Sequence, residues 1–286
     1  MDKLDYISRQ LSRAVHKKYE HYVVSRIWHT LNDISIKFIT QQYVVRPEGR
    51  ALTDMYFPQL KIHIEVDEPF HKKQVISDNL READIINATG HEIYRVDVSK
   101  DIDEINNDIK NIVSILKDKK NKTIDFKDWN LDAEYNPITY IEKGYISLKD
   151  DCAFKTMVEA VSCFGRQYNK NGIWKGGVKH PKNSETTIWF PKLYKNGSWD
   201  NSISNDENTI FEKHEDHIVN QKHMEQILNF SNHKRIVFAR VKSPLGDIMY
   251  RFKGEYILNK ELSIQNKKLI WIKSSENVTT YKLDNI

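Results

Sequence analysis

Two short stretches in the first third of the chain alternate between apolar and polar positions: Thr53-Asp54-Met55-Tyr56-Phe57-Pro58, then Ile62-His63-Ile64-Glu65-Val66-Asp67. A period of two belongs to a half-buried strand, so Ile62, Ile64 and Val66 point one way and His63, Glu65 and Asp67 the other. Upstream, Leu4, Ile7, Leu11, Val15, Tyr19, Val23, Ile27 and Leu31 recur at helical spacing, which predicts one long helix ending at Asn32-Asp33. Strands are expected at 36–39 running into 42–45, at 51–57 and at 60–67, with Pro47-Glu48-Gly49-Arg50 as the turn between the first two. A helix over 74–88 should stop at Gly90, followed by a strand at 91–98. A last helix over 101–119 is capped by Asp101 and striped by Ile105, Ile109, Ile112 and Ile115/Leu116. The expected order is α-β-β-β-α-β-α.

The pattern changes near residue 130. Only Gly49 and Gly90 of the glycines precede residue 140, and Trp174, Trp189, Trp199 and Trp271 all follow it. The polar run from Lys117 to Lys122, continuing to Tyr135-Asn136-Pro137, reads as a helix end and a linker. Beyond it, strands are expected at 186–190, 235–241, 248–258 and 269–274, with helices at 151–164 and 215–229. This is a mixed α+β domain with a curved sheet. Residues 195–201 make a turn-rich loop, bent at Gly197, that sets Trp199 outside any periodic core stripe. The division expected is 1–120, a linker at 121–138, and 139–286.

Composition adds little that is specific. A net charge of +4 with 29% charged residues describes a richly charged surface, compatible with a polyanion partner without requiring one. No run of about eighteen apolar residues exists, and the first ten residues lack the shape of a secretory signal, so no membrane span is expected. Cys152 and Cys163 are too few for a disulfide framework and fit buried thiols in a reducing cytoplasm.

The acids are more telling. Hairpin pairing would bring Asp54 beside Glu65 and Asp67, and like charges that close are costly unless a cation joins them. Three hard oxygen ligands suit magnesium, with manganese as a substitute. A solvated acidic face would show the same pairing. Glu20, on the first helix, is a fourth candidate acid or a surface partner of Lys17 or Lys18. His71, just past the third strand, stands where a proton donor or water-positioning group would serve.

These residues resemble the PD-(D/E)XK nucleases, whose core has this element order. Glu65-Val66-Asp67-Glu68-Pro69-Phe70-His71, followed by Arg81, Asp84, Gly90 and Arg95-Val96, is similar to the pattern of the branch containing the Vsr mismatch-nicking endonucleases. The superfamily lysine is absent, and Asp67 takes its place; His71 or Glu20 could then handle the attacking water. His16-Lys17-Lys18-Tyr19-Glu20-His21-Tyr22, Asp54 to Leu60, Trp189 to Tyr194 and Trp199-Asp200-Asn201 resemble the AbaSI group of restriction endonucleases, which cut DNA containing hydroxymethylcytosine or its glucosylated form.

That resemblance implies a Vsr-like nuclease domain followed by an SRA-like domain that flips a modified cytosine out of double-stranded DNA. It also implies a homodimer that cuts at a distance from the modification. A flipped base needs a stacking surface and polar partners. Trp199 supplies the first, while Asn201, Glu212 and Asp200 are candidates for the second. Lys192 and Lys195, with Lys170, Lys175, Lys179 and Lys182, surround the loop as phosphate contacts or as an ordinary basic face. Two other readings share parts of this chain: a mismatch or lesion nickase, and a modified-DNA reader without catalysis.

Overall fold

The computed structural model describes residues 2–15, 17–46, 49–68, 84–165, 174, 177–230, 233–241, 243–246 and 248–282. They form two compact units, Met1–Asp132 with Ser243–Gly246, and Ala133–Lys242 with Asp247–Ile286.

The first unit opens with α1 (Lys3–Ser12) and α2 (Lys18–Leu31). The single apolar stripe predicted one helix, but the chain breaks between them. Asp2 closes a capping box on α1, and Lys17 adopts an extended conformation (φ −111°, ψ 92°) at the start of α2. A stripe carried across a break keeps its apolar face inward, which is why periodicity alone cannot detect the break. Strands β1 (Ile39–Arg46), β2 (Gly49–Phe57), β3 (Ile62–Asp67) and β4 (Glu92–Asp97) follow in that spatial order. The first three are antiparallel neighbours, and β3 and β4 run parallel. Leu60 and Lys61, expected in the third strand, lie in the β2–β3 turn, with Lys61 at φ +56°. The helix expected at 74–88 is described only at 84–89.

Helix α3 (Ile102–Lys122) is capped as expected, Asp101 accepting from the backbone N–H groups of Asp103 and Glu104. Val23, Val24, Ile27 and Leu31 of α2 and Ile105, Ile109, Ile112, Val113 and Leu116 of α3 pack on Met55, Phe57, Ile62, Ile64, Val66 and Val96. One face of the sheet therefore carries the main core, and Asp54 of the β2–β3 hairpin lies near Lys17 at the entry of α2.

The second unit begins with α4 (Pro137–Lys143), which carries Pro at its start and the left-handed Gly144 at its end. Strands β5 (Tyr145–Ser147) and β6 (Ala153–Phe154) lead to α5 (Met157–Ser162). The helix expected over 151–164 is thus confined to one and a half turns. Residues 153–154 instead pair with Tyr250 and Arg251, because strand pairing satisfies their backbone while burying Phe154.

An eight-stranded sheet runs β7 (Gly177–Lys179), β8 (Thr186–Trp189), β11 (Lys234–Ala239), β12 (Tyr250–Leu258), β13 (Leu269–Ser275), β10 (Thr209–Glu212), β9 (Ser202–Ile203), with β6 off β12. Both faces are covered: Ile236 and Phe238 of β11 enter one core and Val237 and Ala239 the other. Register shifts at Val237/Phe238 and Glu255/Tyr256 bend the sheet. Helices α6 (His217–Asn229) and α7 (Lys260–Asn266) and the small strand β14 (Asn277–Thr279) complete the unit.

Candidate functional site

The first site is built at an interruption in the β1–β2 ladder. Register runs Ile39↔Tyr56 and Thr40↔Met55, then resumes at Gln42↔Thr53, leaving Gln41 and Asp54 outside the paired positions. Gln41 has φ +53° there. The alternation of β2 slips at the same point: Met55 joins the helix-side core, while the Thr53 hydroxyl bonds His63 Nδ1 at 2.8 Å on the other face. The slip re-aims Asp54 out of strict alternation, a common use of ladder defects.

Asp54 Oδ2 accepts from the Val66 backbone N–H at 2.8 Å. Gln41 Nε2 donates to Asp54 Oδ1 at 3.3 Å and to Glu20 Oε1 at 2.7 Å. Lys17 Nζ lies 2.7 Å from Glu20 Oε2 and 4.0 Å from Asp54 Oδ1, and donates to Gln41 Oε1 at 3.1 Å. Glu20 is 3% exposed. Burial, and then the negative charge of Asp54, push its pKa up to about 7 against the pull of Lys17.

Glu65 is buried and stands in register with Arg95 across β3 and β4, while Asp67 is ion-paired to Arg95 Nη1 at 2.6 Å. Among the described residues, no three His, Cys, Asp or Glu side chains are gathered closely enough to hold a metal ion. Gln41 and Lys17 link Asp54 to Glu20, and one bond of Asp67 leads to Arg95. His71 and Arg81 lie outside the described residues.

Sequence reasoning selected Glu20 and named Lys17 among its possible partners, but missed Gln41 and the reach of Lys17 towards Asp54. Their part depends on the helix break and the skipped ladder position, neither of which has a local signature. It also missed a stack on the outer face of the hairpin. There the Tyr56 and His63 rings lie 4.1 Å apart, and His63 Nε2 meets His91 Nδ1 at 3.0 Å. Burial, and then His91, lower the His63 pKa to about 3, and burial lowers that of His91 as well.

The second site surrounds Glu212 at the end of β10. Its Oε2 accepts from Arg235 Nη1 and Trp271 Nε1, both at 3.0 Å, and its Oε1 lies 3.0 Å from His223 Nε2. The Arg235 guanidinium sits 3.7 Å from the centroid of the Trp271 ring and 4.2 Å from that of Trp189. Burial opposes ionisation of Glu212, yet the Arg235 charge and the bonds from His223 and Trp271 prevail and hold its pKa below the ordinary value. Lys213 and His214, next to Glu212 in the sequence, would be its simplest charged partners. Its partners come instead from α6, β11 and β13, which only the fold brings together.

Trp199 is half-buried, and the rings of His214 and His223 meet it nearly perpendicularly at 5.0 and 4.9 Å. Asn201 Oδ1 accepts from the Lys213 N–H at 3.3 Å, and Asp200 is exposed. Trp199, Glu212 and His223 thus form one connected group. Lys192 donates to Asn196 at 2.9 Å and Lys195 pairs with Glu215 at 2.5 Å. Lys170 and Lys175 lie outside the described residues.

Residues 4–119 match the family described as restriction endonuclease PvuRts1 I-like, N-terminal, and residues 139–280 match the SET and RING associated (SRA) domain. The solved structure of AbaSI, the 5-hydroxymethylcytosine-specific restriction enzyme, aligns at 42% identity with a TM-score of 0.67, covering 98% of each chain. The chain belongs to the AbaSI family. Comparison with curated proteins returns no match.

Membership in the AbaSI family bears out the resemblance carried by the two motif sets and the expected architecture of a nuclease-like domain followed by an SRA domain. It also gives the acid cluster a chemical test. A restriction endonuclease implies a divalent metal, and two carboxylates bridged only by an amide and one ammonium form a hard-oxygen donor set short of positive charge. Burial, and after it the charge of Asp54, raises the Glu20 pKa, and a divalent cation beside it would favour the ionised form. Glu20 and Asp54 thus offer part of a donor set, which no third His, Cys, Asp or Glu completes among the described residues.

Proposed function

We propose that this protein is a modification-dependent restriction endonuclease that cleaves double-stranded DNA at a distance from 5-hydroxymethylcytosine or its glucosylated form. The observation that carries this reading is the end-to-end likeness to AbaSI, described as 5-hydroxymethylcytosine-specific.

In this reading the first unit cuts. Asp54 and Glu20, with Glu65 and Asp67 on the neighbouring strand, would hold a divalent ion, magnesium or manganese, which would supply Lewis-acid chemistry for phosphodiester hydrolysis. The Val66 N–H and the Gln41 amide orient Asp54, and Lys17 keeps Glu20 and Asp54 from repelling one another before DNA arrives. Glu20 or His71 takes or supplies a proton at the attacking or leaving oxygen. The second unit reads. Trp199 stacks on the extruded base while Asn201, Asp200 and Glu212 meet its polar edge. One nuclease site per chain and cutting of both strands imply a homodimer. No described helix is long and apolar enough to cross a membrane. Both cysteines are buried and free, as a reducing cytoplasm keeps them, and we place the enzyme there.

Digestion of matched duplexes carrying cytosine, methylcytosine, hydroxymethylcytosine or its glucoside, with magnesium or with chelator, tests the reading. Cleavage confined to the last two substrates, and abolished by chelator, is expected. Equal cleavage of all four, or preference for a mismatched duplex, overturns it.

A further inference from the structure

Resting on the base-reading role of the second unit, we propose that His223 is a further reading residue: its Nδ1 accepts a hydrogen bond from a donor on the extruded modified cytosine. The argument starts from Glu212. That carboxylate is buried, and its Oε2 is committed to Arg235 and Trp271. Its Oε1 faces His223 Nε2 at 3.0 Å. An ionised carboxylate only accepts, so the proton in this bond belongs to Nε2, and the tautomer so fixed is the one whose acceptor lone pair lies at Nδ1.

That acceptor makes no hydrogen bond among the described residues, and the His223 side chain is 23% exposed, against 6% for Glu212. The same ring lies 4.9 Å from Trp199 at 81°, so its position is set by the residue assigned to stack on the base. Arg235, gripped between Trp189 and Trp271, fixes Glu212, and Glu212 fixes the tautomer of His223. Glu212 is a positioning residue for His223 as well as a candidate contact. A modified cytosine offers two donors to such an acceptor, its exocyclic amine and its 5-hydroxymethyl hydroxyl.

The test uses the full chain in chelator, so that binding is read without cleavage. Affinities for hydroxymethylcytosine, methylcytosine and cytosine duplexes are measured by fluorescence anisotropy for wild type, His223→Phe, His223→Leu and His223→Gln, each checked for folding by thermal melting. Both Phe and Leu lack the acceptor, so either folded variant suffices. Affinity for the hydroxymethylcytosine duplex should fall about tenfold in them, and Gln, with one donor and one acceptor, should recover part of it. A loss confined to hydroxymethylcytosine assigns the hydroxyl as donor; an equal loss for all three duplexes assigns the amine, which every cytosine carries. Unchanged hydroxymethylcytosine affinity in a folded Phe or Leu variant overturns the inference. A wild-type protein with no preference among the duplexes overturns the underlying reading instead.

Discussion

Glu20 Oε1 and Asp54 Oδ1 accept hydrogen bonds from one nitrogen, Gln41 Nε2, at 2.7 and 3.3 Å. Two acids from a helix and a strand thus share a single neutral donor, with Lys17 as the nearest cation. Like charges so arranged oppose each other's ionisation, and Lys17 offsets them only in part.

Replacing Glu20 with Gln or Asp54 with Asn should therefore separate cutting from folding. Cleavage of hydroxymethylated DNA is expected to fall by at least about a hundredfold. The melting temperature should hold or rise, because each change removes one of two mutually repelling charges. Activity assays beside thermal melts in chelator check both; full cleavage by either variant would remove that residue from the site.

Arg235 and Glu212 form a buried ion pair, and breaking one side leaves an uncompensated charge. Arg235→Met should destabilise by about 3–5 kcal/mol. The double variant Arg235→Met/Glu212→Met should recover much of that loss, which a double-mutant cycle by chemical denaturation measures. Additive losses would show that the pair is not coupled.

Gly254 has φ +106°, and a Cβ built there would meet the Ser275 carbonyl oxygen at 2.6 Å. Gly254→Ala should lower stability by about 1–3 kcal/mol, read as a drop in melting temperature, since both the backbone conformation and the strand approach oppose a side chain. A melting curve superimposable on wild type would refute the strain argument.

His180 is buried, and burial lowers its pKa to about 4 from an ordinary 6.5. Its Nδ1 accepts from the backbone N–H groups of Lys182 and Asn183 at 3.1 and 3.0 Å, which requires that nitrogen to be unprotonated. Below pH 6.5 the unfolded chain binds a proton that the folded one refuses. The contribution of His180 is therefore complete above about pH 6.5 and is lost as pH falls towards 4, with a slope of up to about 1.4 kcal/mol per pH unit. His180→Asn, which retains an acceptor without a titrating group, should flatten that decline when denaturation midpoints are compared across the range.

Element order in the first unit was legible because its strands and helices carry strong period-two and period-3.6 patterns. The Asp101 cap and the inward set Ile105, Ile109, Ile112 and Leu116 were found from local chemistry alone. Less was legible where one residue type serves two structures. Val15 and Tyr19 continue the stripe of Leu11 across the helix break, and Ala153-Phe154 sits in a helix-like run yet pairs as a strand. Among the site residues, Asp54, Glu65 and Asp67 stood out by alternation, and Trp199 by its loop. Gln41, His223 and Arg235 did not, since each acquires its role from a partner distant in the sequence; Lys17 was legible only as a partner of Glu20, one helical turn on.

The linear order of residues by itself determined the family, the two-part organisation of motifs, and which strand positions carry acids, because those depend on neighbours within a few positions. Only the tertiary structure decided that Asp54 meets Glu20 across a skipped ladder position, and that Glu212 anchors Arg235, Trp271 and His223 from three separate elements. Periodicity sets which face a side chain takes. What it finds there depends on packing, and on buried polar atoms taking whichever partners long-range contacts bring within reach.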